Sequence, residues 1–118
     1  MESKTILVTG GAGYIGSFMV RSLIERGFKV FIVDSLVRGN NDSITPLATF
    51  FQGDISDDKF IESILSSNAI DGVIHFAGFI SMAESMEKPA LYFEENAFKT
   101  SKFIDILVRH NVKNFIFS

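Results

Sequence analysis

The stretch Thr9-Gly10-Gly11-Ala12-Gly13-Tyr14-Ile15-Gly16 places four glycines within seven positions, between an apolar run and a segment with helical periodicity. Each glycine costs a regular element about 0.5–1 kcal/mol relative to alanine, so the backbone there must have a use. Gly10 permits a sharp turn, Gly13 lets the main chain approach a pyrophosphate, and Gly16 lets a helix pack closely on a strand. The stretch predicts a phosphate-binding strand–turn–helix unit, with a plain tight turn as the alternative.

An acidic residue after the next apolar run supports a nucleotide site. Asp34 lies eighteen residues beyond Gly16 and ends the second predicted strand. A carboxylate there can accept hydrogen bonds from both ribose hydroxyls of an adenosine and would repel a 2′-phosphate, which favours NAD over NADP. Arg38, four residues further on, is a weak opposing signal. The alternative for Asp34 is a solvated turn residue.

Short apolar runs alternate with helical patterns along the whole chain. We expect strands at Thr5–Thr9, Phe28–Val33, Thr49–Gln52, Gly72–Phe76 and Lys113–Phe117. We expect a first helix at Tyr14–Arg26, with Gly27 as its C-terminal cap. A second helix should begin after an N-cap at Ser56 and bury Phe60, Ile61, Ile64 and Leu65. The third and longest helix should span Leu91–His110 and bury Phe93, Ala97, Thr100, Ile104, Leu107 and Val108. This alternation predicts an α/β, Rossmann-type parallel sheet with helices on both faces. The expected strand order is 3-2-1-4-5, and such a sheet would be an incomplete half of a doubly wound fold.

The composition excludes several classes of protein. The chain has 118 residues, 47% of them hydrophobic, which is enough for one domain or part of one. A net charge of -3 without a basic run gives no support for nucleic-acid or membrane partners. The chain contains no cysteine, which excludes disulfides and thiolate metal sites, and we expect no metal. The start at Met1–Lys4 lacks a signal-peptide pattern and Val73–Ile80 is too short to span a bilayer, so we predict a cytoplasmic protein.

Several motifs resemble one enzyme family. The glycine spacing resembles the extended branch of the short-chain dehydrogenase/reductase superfamily, and within it the UDP-glucose 4-epimerases. The matching segments are Val8 to Ser17, Val33-Asp34-Ser35-Leu36, Gly53-Asp54-Ile55 and His75-Phe76-Ala77-Gly78, followed by Glu84-Ser85, Lys88-Pro89, Tyr92, Asn96 and Val112-Lys113 to Ser118. The resemblance runs through the whole chain but covers only the first third of such an enzyme.

The resemblance implies which residues surround NAD. Backbone at Tyr14 and Ile15 would lie near the pyrophosphate, Asp34 to Gly39 around the adenine ribose, and Asp54 at the exocyclic amine of adenine. Phe76 to Ile80 would pass under the pyrophosphate and the nicotinamide ribose. The predicted cofactor-binding residues are Gly10, Gly13, Tyr14, Ile15, Gly16, Asp34, Ser35, Leu36, Arg38, Gly39, Asp54, Ile55, Phe76, Ala77, Gly78, Ile80 and Asn96.

Some of these residues also have structural interpretations. Asp54 can be a helix-entry turn residue, and Asn96 can hydrogen-bond neighbouring backbone, although its helical spacing to Phe103 and Leu107 directs it to the core. His75 is more typical of a satisfied histidine at a strand end than of a catalyst. Glu84 and Ser85 either cap a helical turn or contact substrate.

The chain departs from the family pattern at three positions. Ile80 replaces a lysine that lies near the nicotinamide, which weakens the case for a sugar epimerase. Glu95 replaces an asparagine and Lys99 a glycine, and the two can pair at i, i+4.

The chain lacks the catalytic Tyr-x-x-x-Lys pair of that family, in which the lysine lowers the pKa of the tyrosine so that it acts as a base. Tyr14 is followed four positions later by Phe18, and Tyr92 by Asn96. We therefore predict residues 1–118 to be the NAD-binding N-terminal part of an enzyme that interconverts UDP-glucose and UDP-galactose in galactose metabolism. The chain would contain no catalytic residue and would be inactive by itself.

Two other functions stay open. One is a related nucleotide-sugar 4,6-dehydratase or decarboxylase, and the other is a non-catalytic NAD-sensing or protein-binding Rossmann module. For the parent enzyme we expect a UDP-sugar substrate and a homodimer. For the isolated chain we expect self-association through the long helix or through the exposed edge strand Asn114–Phe117.

Overall fold

A computed structural model describes residues 3–36, 44–76 and 89–117, apart from a few side chains near the start of the last helix. The strands are β1 (Thr5–Thr9), β2 (Lys29–Asp34), β3 (Thr49–Gln52), β4 (Gly72–His75) and β5 (Phe115–Phe117). The helices are α1 (Tyr14–Glu25), α2 (Asp58–Ser67) and α3 (Pro89–Arg109). β1 and β3 have the predicted bounds, and the other elements shift by one or two residues at their ends.

The five strands form one parallel sheet in the order β3-β2-β1-β4-β5, which confirms the predicted topology. Thr9, the last residue of β1, lies between Val33 of β2 and His75 of β4. The chain leaves β1 toward β2 on one side and later crosses to β4 on the other. The carboxyl ends of β1 and β4 therefore flank the switch point, where open α/β sheets bind ligands.

Apolar side chains of alternate strand positions fill two cores, one on each face of the sheet. Leu7 packs on the face covered by α2 and α3, whereas the next residue, Val8, packs on the face covered by α1. β2 divides in the same way, with Phe31 on the first face and Ile32 on the second. The period of two follows from the pleat, and it confirms a sheet covered by helices on both faces.

Gly27 ends α1 as predicted. Its backbone has a φ of +90°, a left-handed conformation that costs glycine little, and its N–H donates to the carbonyl of Ile24 at 3.0 Å. Phe28 N–H then bonds the carbonyl of Leu23, and the chain enters β2.

The predicted N-cap of α2 is wrong by one residue. Asp57 caps the helix, accepting a hydrogen bond from Phe60 N–H at 3.2 Å. Ser56 instead donates both its N–H and its hydroxyl to Asp54 Oδ1, at 2.8 and 2.9 Å. Because this turn uses the Ser56 hydroxyl, the next side chain takes over the capping role.

The predicted buried face of α3 is only partly right. Phe103, Ile106 and Leu107 are buried, whereas Ala97 and Val108 are exposed. The predicted set mixed two faces, since many apolar residues occur around this helix. The buried stripe packs on α2, and ion pairs flank it, with Lys102 Nζ 3.3 Å from Asp58 Oδ1 and Arg109 Nη1 3.1 Å from Glu62 Oε1. Such exposed pairs contribute at most about 1 kcal/mol each.

β5 forms one edge of the sheet and begins two residues later than predicted. It pairs with β4, and its three side chains keep 36% (Phe115), 65% (Ile116) and 39% (Phe117) of their surface exposed. Their exposure leaves an open apolar groove, lined in part by Ile74 and Ile116.

Candidate functional site

The glycine-rich turn is closed by backbone contacts that exclude side chains. Gly10 has a φ of +75°, and its N–H donates to the Val33 carbonyl at 2.8 Å. Gly13 N–H donates to the Gly10 carbonyl at 3.0 Å. A Cβ on Gly16 would collide with that same carbonyl oxygen, and one on Gly13 would lie 3.3 Å from it. The turn from β1 into α1 therefore requires glycine at positions 10 and 16.

Among the described residues, no side chain caps the N-terminus of α1. Gly13 is the N-cap residue, with an extended backbone and no capping hydrogen bond, and the first turn has no acidic residue. The first N–H groups of a helix have no partner within the helix and carry a partial positive charge. Tyr14 and Ile15 are 80% and 58% exposed, so this end of the helix is open to an anionic ligand.

Asp34 joins the end of β2 to the glycine-rich turn. Its Oδ2 accepts a hydrogen bond from Ala12 N–H at 3.0 Å, and its Oδ1 accepts one from Leu36 N–H at 2.8 Å. The residue is 9% exposed, so the interpretation as a solvated turn residue is wrong. A carboxylate oxygen can accept two hydrogen bonds, so Asp34 has capacity left for hydroxyl donors. Leu36 itself has a φ of +66°, which is unusual for a non-glycine residue.

Asp54 follows β3 and is partly exposed. Burial raises its pKa, but the Ser56 N–H and hydroxyl and the Lys99 ammonium outweigh burial and hold the pKa below its usual value. Lys99 Nζ lies 4.0 Å from Asp54 Oδ2, so Lys99 pairs across to the β3–α2 turn. The predicted partner, Glu95, has a side chain outside the described part. Ile55 is buried in the core beneath α2 and α3, so its backbone is the part left for a ligand.

His75 ends β4 in a nearly closed environment. It is 3% exposed, its Nδ1 lies 2.7 Å from Thr9 Oγ1, and Nε2 has no hydrogen-bond partner among the described residues. Desolvation lowers its pKa to about 4, so the imidazole is neutral at neutral pH. The prediction of a histidine whose ring nitrogens are hydrogen-bonded is therefore confirmed for Nδ1, and among the described residues Nε2 has no such partner.

A model of the NAD dependent epimerase/dehydratase family matches residues 6–118. The chain belongs to this family. The predicted resemblance and the NAD cofactor of the family are thereby confirmed.

Several UDP-glucose 4-epimerases, known from sequence or from solved structures, align with almost the whole of this chain. The UDP-glucose 4-epimerase of Streptococcus mutans is 46% identical over 115 residues, which are 96% of this chain and 34% of that protein. That of Lacticaseibacillus casei is 40% identical, with 97% and 34% covered. The Bifidobacterium longum UDP-glucose 4-epimerase, solved in complex with NAD+ and UDP, superposes with a TM-score of 0.90 at 34% identity, covering 98% of this chain and 36% of its own. The chain spans about a third of the length of these relatives.

The structure brings most of the predicted cofactor-binding residues that it describes to the carboxyl ends of the parallel strands. Gly10 to Gly16, Asp54 and Phe76 follow the carboxyl ends of parallel strands, and Asp34 is the last residue of β2. The remaining predictions lie outside the described residues: Arg38, Gly39, Ala77, Gly78, Ile80, Glu84, Ser85 and the side chain of Asn96.

Three residues that the sequence analysis does not predict contribute to the geometry of the candidate site. Ala12 donates its N–H to Asp34, and a Cβ on Gly11 would lie 2.7 Å from Ile32 Cγ2. Thr9 contacts both His75 and the backbone of Phe76. A polar residue at the end of an apolar strand was the available signal for Thr9, but its partner depends on the register between β1 and β4.

Residues 3–36, 44–76 and 89–117 contain no cluster of three or more histidine or acidic side chains that could hold a metal ion. No helix in the same ranges is long and apolar enough to cross a membrane.

Proposed function

We propose that this chain is the NAD-binding part of a nucleotide-sugar epimerase that interconverts UDP-glucose and UDP-galactose by transient oxidation at C4. The observation that carries the proposal is the N-terminus of α1, which no side chain of the described residues caps, which the glycine turn holds in place and which Ala12 N–H ties to Asp34. The two groups place a partial positive charge and a carboxylate at one strand edge. The identity of 46% to a UDP-glucose 4-epimerase supports the sugar substrate.

The described residues fit a dinucleotide. The α1 N-terminus would bind the pyrophosphate through its N–H groups. Gly16 allows this arrangement because, without a Cβ, it lets the start of α1 lie against the Gly10 carbonyl. Asp34 would accept hydrogen bonds from the ribose hydroxyls, and Asp54 Oδ2 would accept one from the exocyclic amine of adenine. When bound, NAD supplies the hydride acceptor for oxidation of the sugar.

The chain's own residues bind and orient; they do not transfer protons. No tyrosine of this sequence is followed by lysine at the fourth position. We propose that residues 1–118 form the NAD-binding domain, that the other two thirds of the relatives correspond to the catalytic and sugar-binding parts, and that this chain has no epimerase activity by itself. A cytoplasmic location stays a prediction.

Calorimetric titration of the 118-residue chain tests the proposal. We expect NAD to bind at least about tenfold more tightly than NADP, because the Asp34 carboxylate repels a 2′-phosphate. Asp34→Asn should weaken NAD binding and narrow this preference, since the amide offers one oxygen and no charge. Equal affinity for the two cofactors, or no binding of either, would contradict the assignment. Conversion of UDP-galactose by the pure chain would contradict the absence of catalysis.

We also propose that a second copy of this chain associates through β5 or α3. Within the described part of the chain, no strand pairs with the outer side of β5. α3 exposes Leu91 (49%), Phe98 (63%) and Val108 (58%). The exposed apolar side chains on both elements support this proposal.

Sedimentation at tens of micromolar is expected to show dimers or larger species. Ile116→Lys should restore the monomer if β5 is the interface, and Phe98→Lys should do so if α3 is. A monomeric wild-type chain would exclude both interfaces.

A further inference from the structure

Thr9 and His75 form a buried polar pair across the switch point of the sheet. They are the last residues of β1 and β4, they are register partners, and they are 0% and 3% exposed. Thr9 Oγ1 and His75 Nδ1 are 2.7 Å apart, a short hydrogen bond. The pair therefore links the two strand ends that flank the crevice.

The amide of Phe76 belongs to the same unit. Phe76 N–H donates to the Thr9 carbonyl at 2.9 Å and also approaches Thr9 Oγ1 at 3.2 Å. Because the carbonyl alone satisfies this amide, the hydroxyl is not needed to avoid an unpaired donor. Thr9 is followed directly by Gly10, whose N–H bonds Val33 on the opposite side. One threonine thus contacts the two points at which the chain leaves β1 and β4.

The imidazole ring is held by aromatic neighbours. Its centroid lies 5.4 Å from the Phe103 ring of α3 and 5.1 Å from the Phe117 ring of β5. Apolar side chains of similar volume would fill this space without the cost of burying polar groups. What the polar pair adds is direction, since a hydrogen bond fixes separation and angle more narrowly than packing does.

We propose that Thr9 and His75 are positioning residues for the cofactor: their hydrogen bond fixes the two strand ends and so preorganises the backbone at Gly10 and Phe76 for the dinucleotide. The inference rests on the proposed function, because it assigns the crevice to NAD. It gives His75 a role through Nδ1 and through Thr9, without contact to the substrate.

Four variants separate this role from simple packing, with NAD affinity measured by calorimetry on the folded chain. An asparagine in place of His75 puts its amide near the position of Nδ1, whereas a glutamine puts it near Nε2. We expect His75→Asn and Thr9→Ser to bind NAD within about threefold of wild type. His75→Gln and the near-isosteric Thr9→Val should bind about tenfold more weakly, the change expected when one buried hydrogen bond is lost.

Val112→Ala is the matched control. Val112 is buried in the core beneath α2 and α3 and precedes the amino end of β5, opposite the carboxyl ends of the parallel strands. The substitution should lower the melting temperature and leave NAD affinity unchanged. Equal NAD affinity in all four crevice variants would reduce Thr9 and His75 to a structural role and overturn the proposal. Tight binding by His75→Gln with weak binding by His75→Asn would also overturn it, since Nε2 would then be the working atom.

A measurement without cofactor keeps the two proposals separate. In the wild-type chain, the nitrogen NMR shifts of His75 should show a hydrogen-bonded Nδ1, and the Phe76 amide should exchange slowly with solvent. Thr9→Val should remove the hydrogen-bonded signature of His75 Nδ1, whereas the Phe76 amide keeps its bond to the Thr9 carbonyl and should still exchange slowly. A free Nδ1 or a rapidly exchanging Phe76 amide would overturn the positioning role even if NAD binds. Failure of NAD to bind a chain with the expected NMR signals would contradict the proposed function alone.

Discussion

Replacing Gly16 by alanine is expected to displace the start of α1, to destabilise the chain and to weaken NAD binding strongly. The new Cβ would collide with the carbonyl oxygen of Gly10, and both partners are backbone atoms fixed by β1 and α1. Relief requires α1 to move away from the strand, which we expect to cost about 3 kcal/mol or more of the free energy of unfolding. The displaced N–H groups would weaken NAD binding on the order of a hundredfold. Urea unfolding and calorimetry measure the two effects.

Two other glycines serve as controls. A Cβ on Gly13 would lie 3.3 Å from the Gly10 oxygen, a tight contact that a small shift relieves, so Gly13→Ala should have an intermediate effect. At Gly27 a Cβ would meet nothing within 4 Å, and only the φ of +90° opposes alanine. Gly27→Ala should cost about 1 kcal/mol and leave NAD affinity unchanged. Equal losses of affinity at positions 16 and 27 would contradict the close-approach argument.

The stability of the chain is expected to fall as the pH is lowered through the range set by His75. Desolvation lowers its folded-state pKa from 6.5 to about 4, so between these values the unfolded chain binds more protons. Stability from the neutral imidazole is complete above pH 6.5, decreases as the pH falls, and is lost near pH 4. At about 1.4 kcal/mol per pKa unit, the loss is ~3 kcal/mol.

Comparison with His75→Asn isolates this contribution. The asparagine side chain of that variant does not titrate, whereas the carboxylates, including Asp54, titrate in both chains and cancel in the difference. The free energy of unfolding of wild type should therefore fall relative to the variant by ~3 kcal/mol between pH 7 and pH 4. NMR titration of the His75 ring in wild type gives its pKa directly. A constant difference between the chains, or a ring that titrates near pH 6.5, would contradict the buried neutral imidazole.

The topology could be predicted because its signals are local. Apolar runs of strand length, helical spacing after Gly16 and the acid at position 34 each occur within a short window, and right-handed crossovers leave few possible strand orders. The resemblance of the glycine motif to that of a known enzyme family made it possible to predict NAD as the cofactor. The start of α2 was misplaced because Ser56 and Asp57 are both good caps, and only the contact of Ser56 with Asp54 decides between them.

The buried face of α3 could not be predicted as well. Apolar residues occur all round this helix, so the pattern alone fits more than one stripe. The packing of Phe103, Ile106 and Leu107 against the sheet and α2 selects one of them. Ala97 and Val108, equally apolar in sequence, are left exposed.

By itself the sequence determined the parallel α/β fold, the glycine turn and the type of cofactor, because these depend on residue types at fixed spacing. Spacing alone predicts that Gly10 and Gly16 are required, as the structure confirms. It also predicts Asp34 as the acid for the adenosine ribose, a role that stays a proposal. The tertiary structure decided that Asp34 also holds Ala12 N–H and that Thr9 bonds His75 across the switch point. These pairs lie 22 and 66 residues apart in the chain, and only the register of neighbouring strands brings them together.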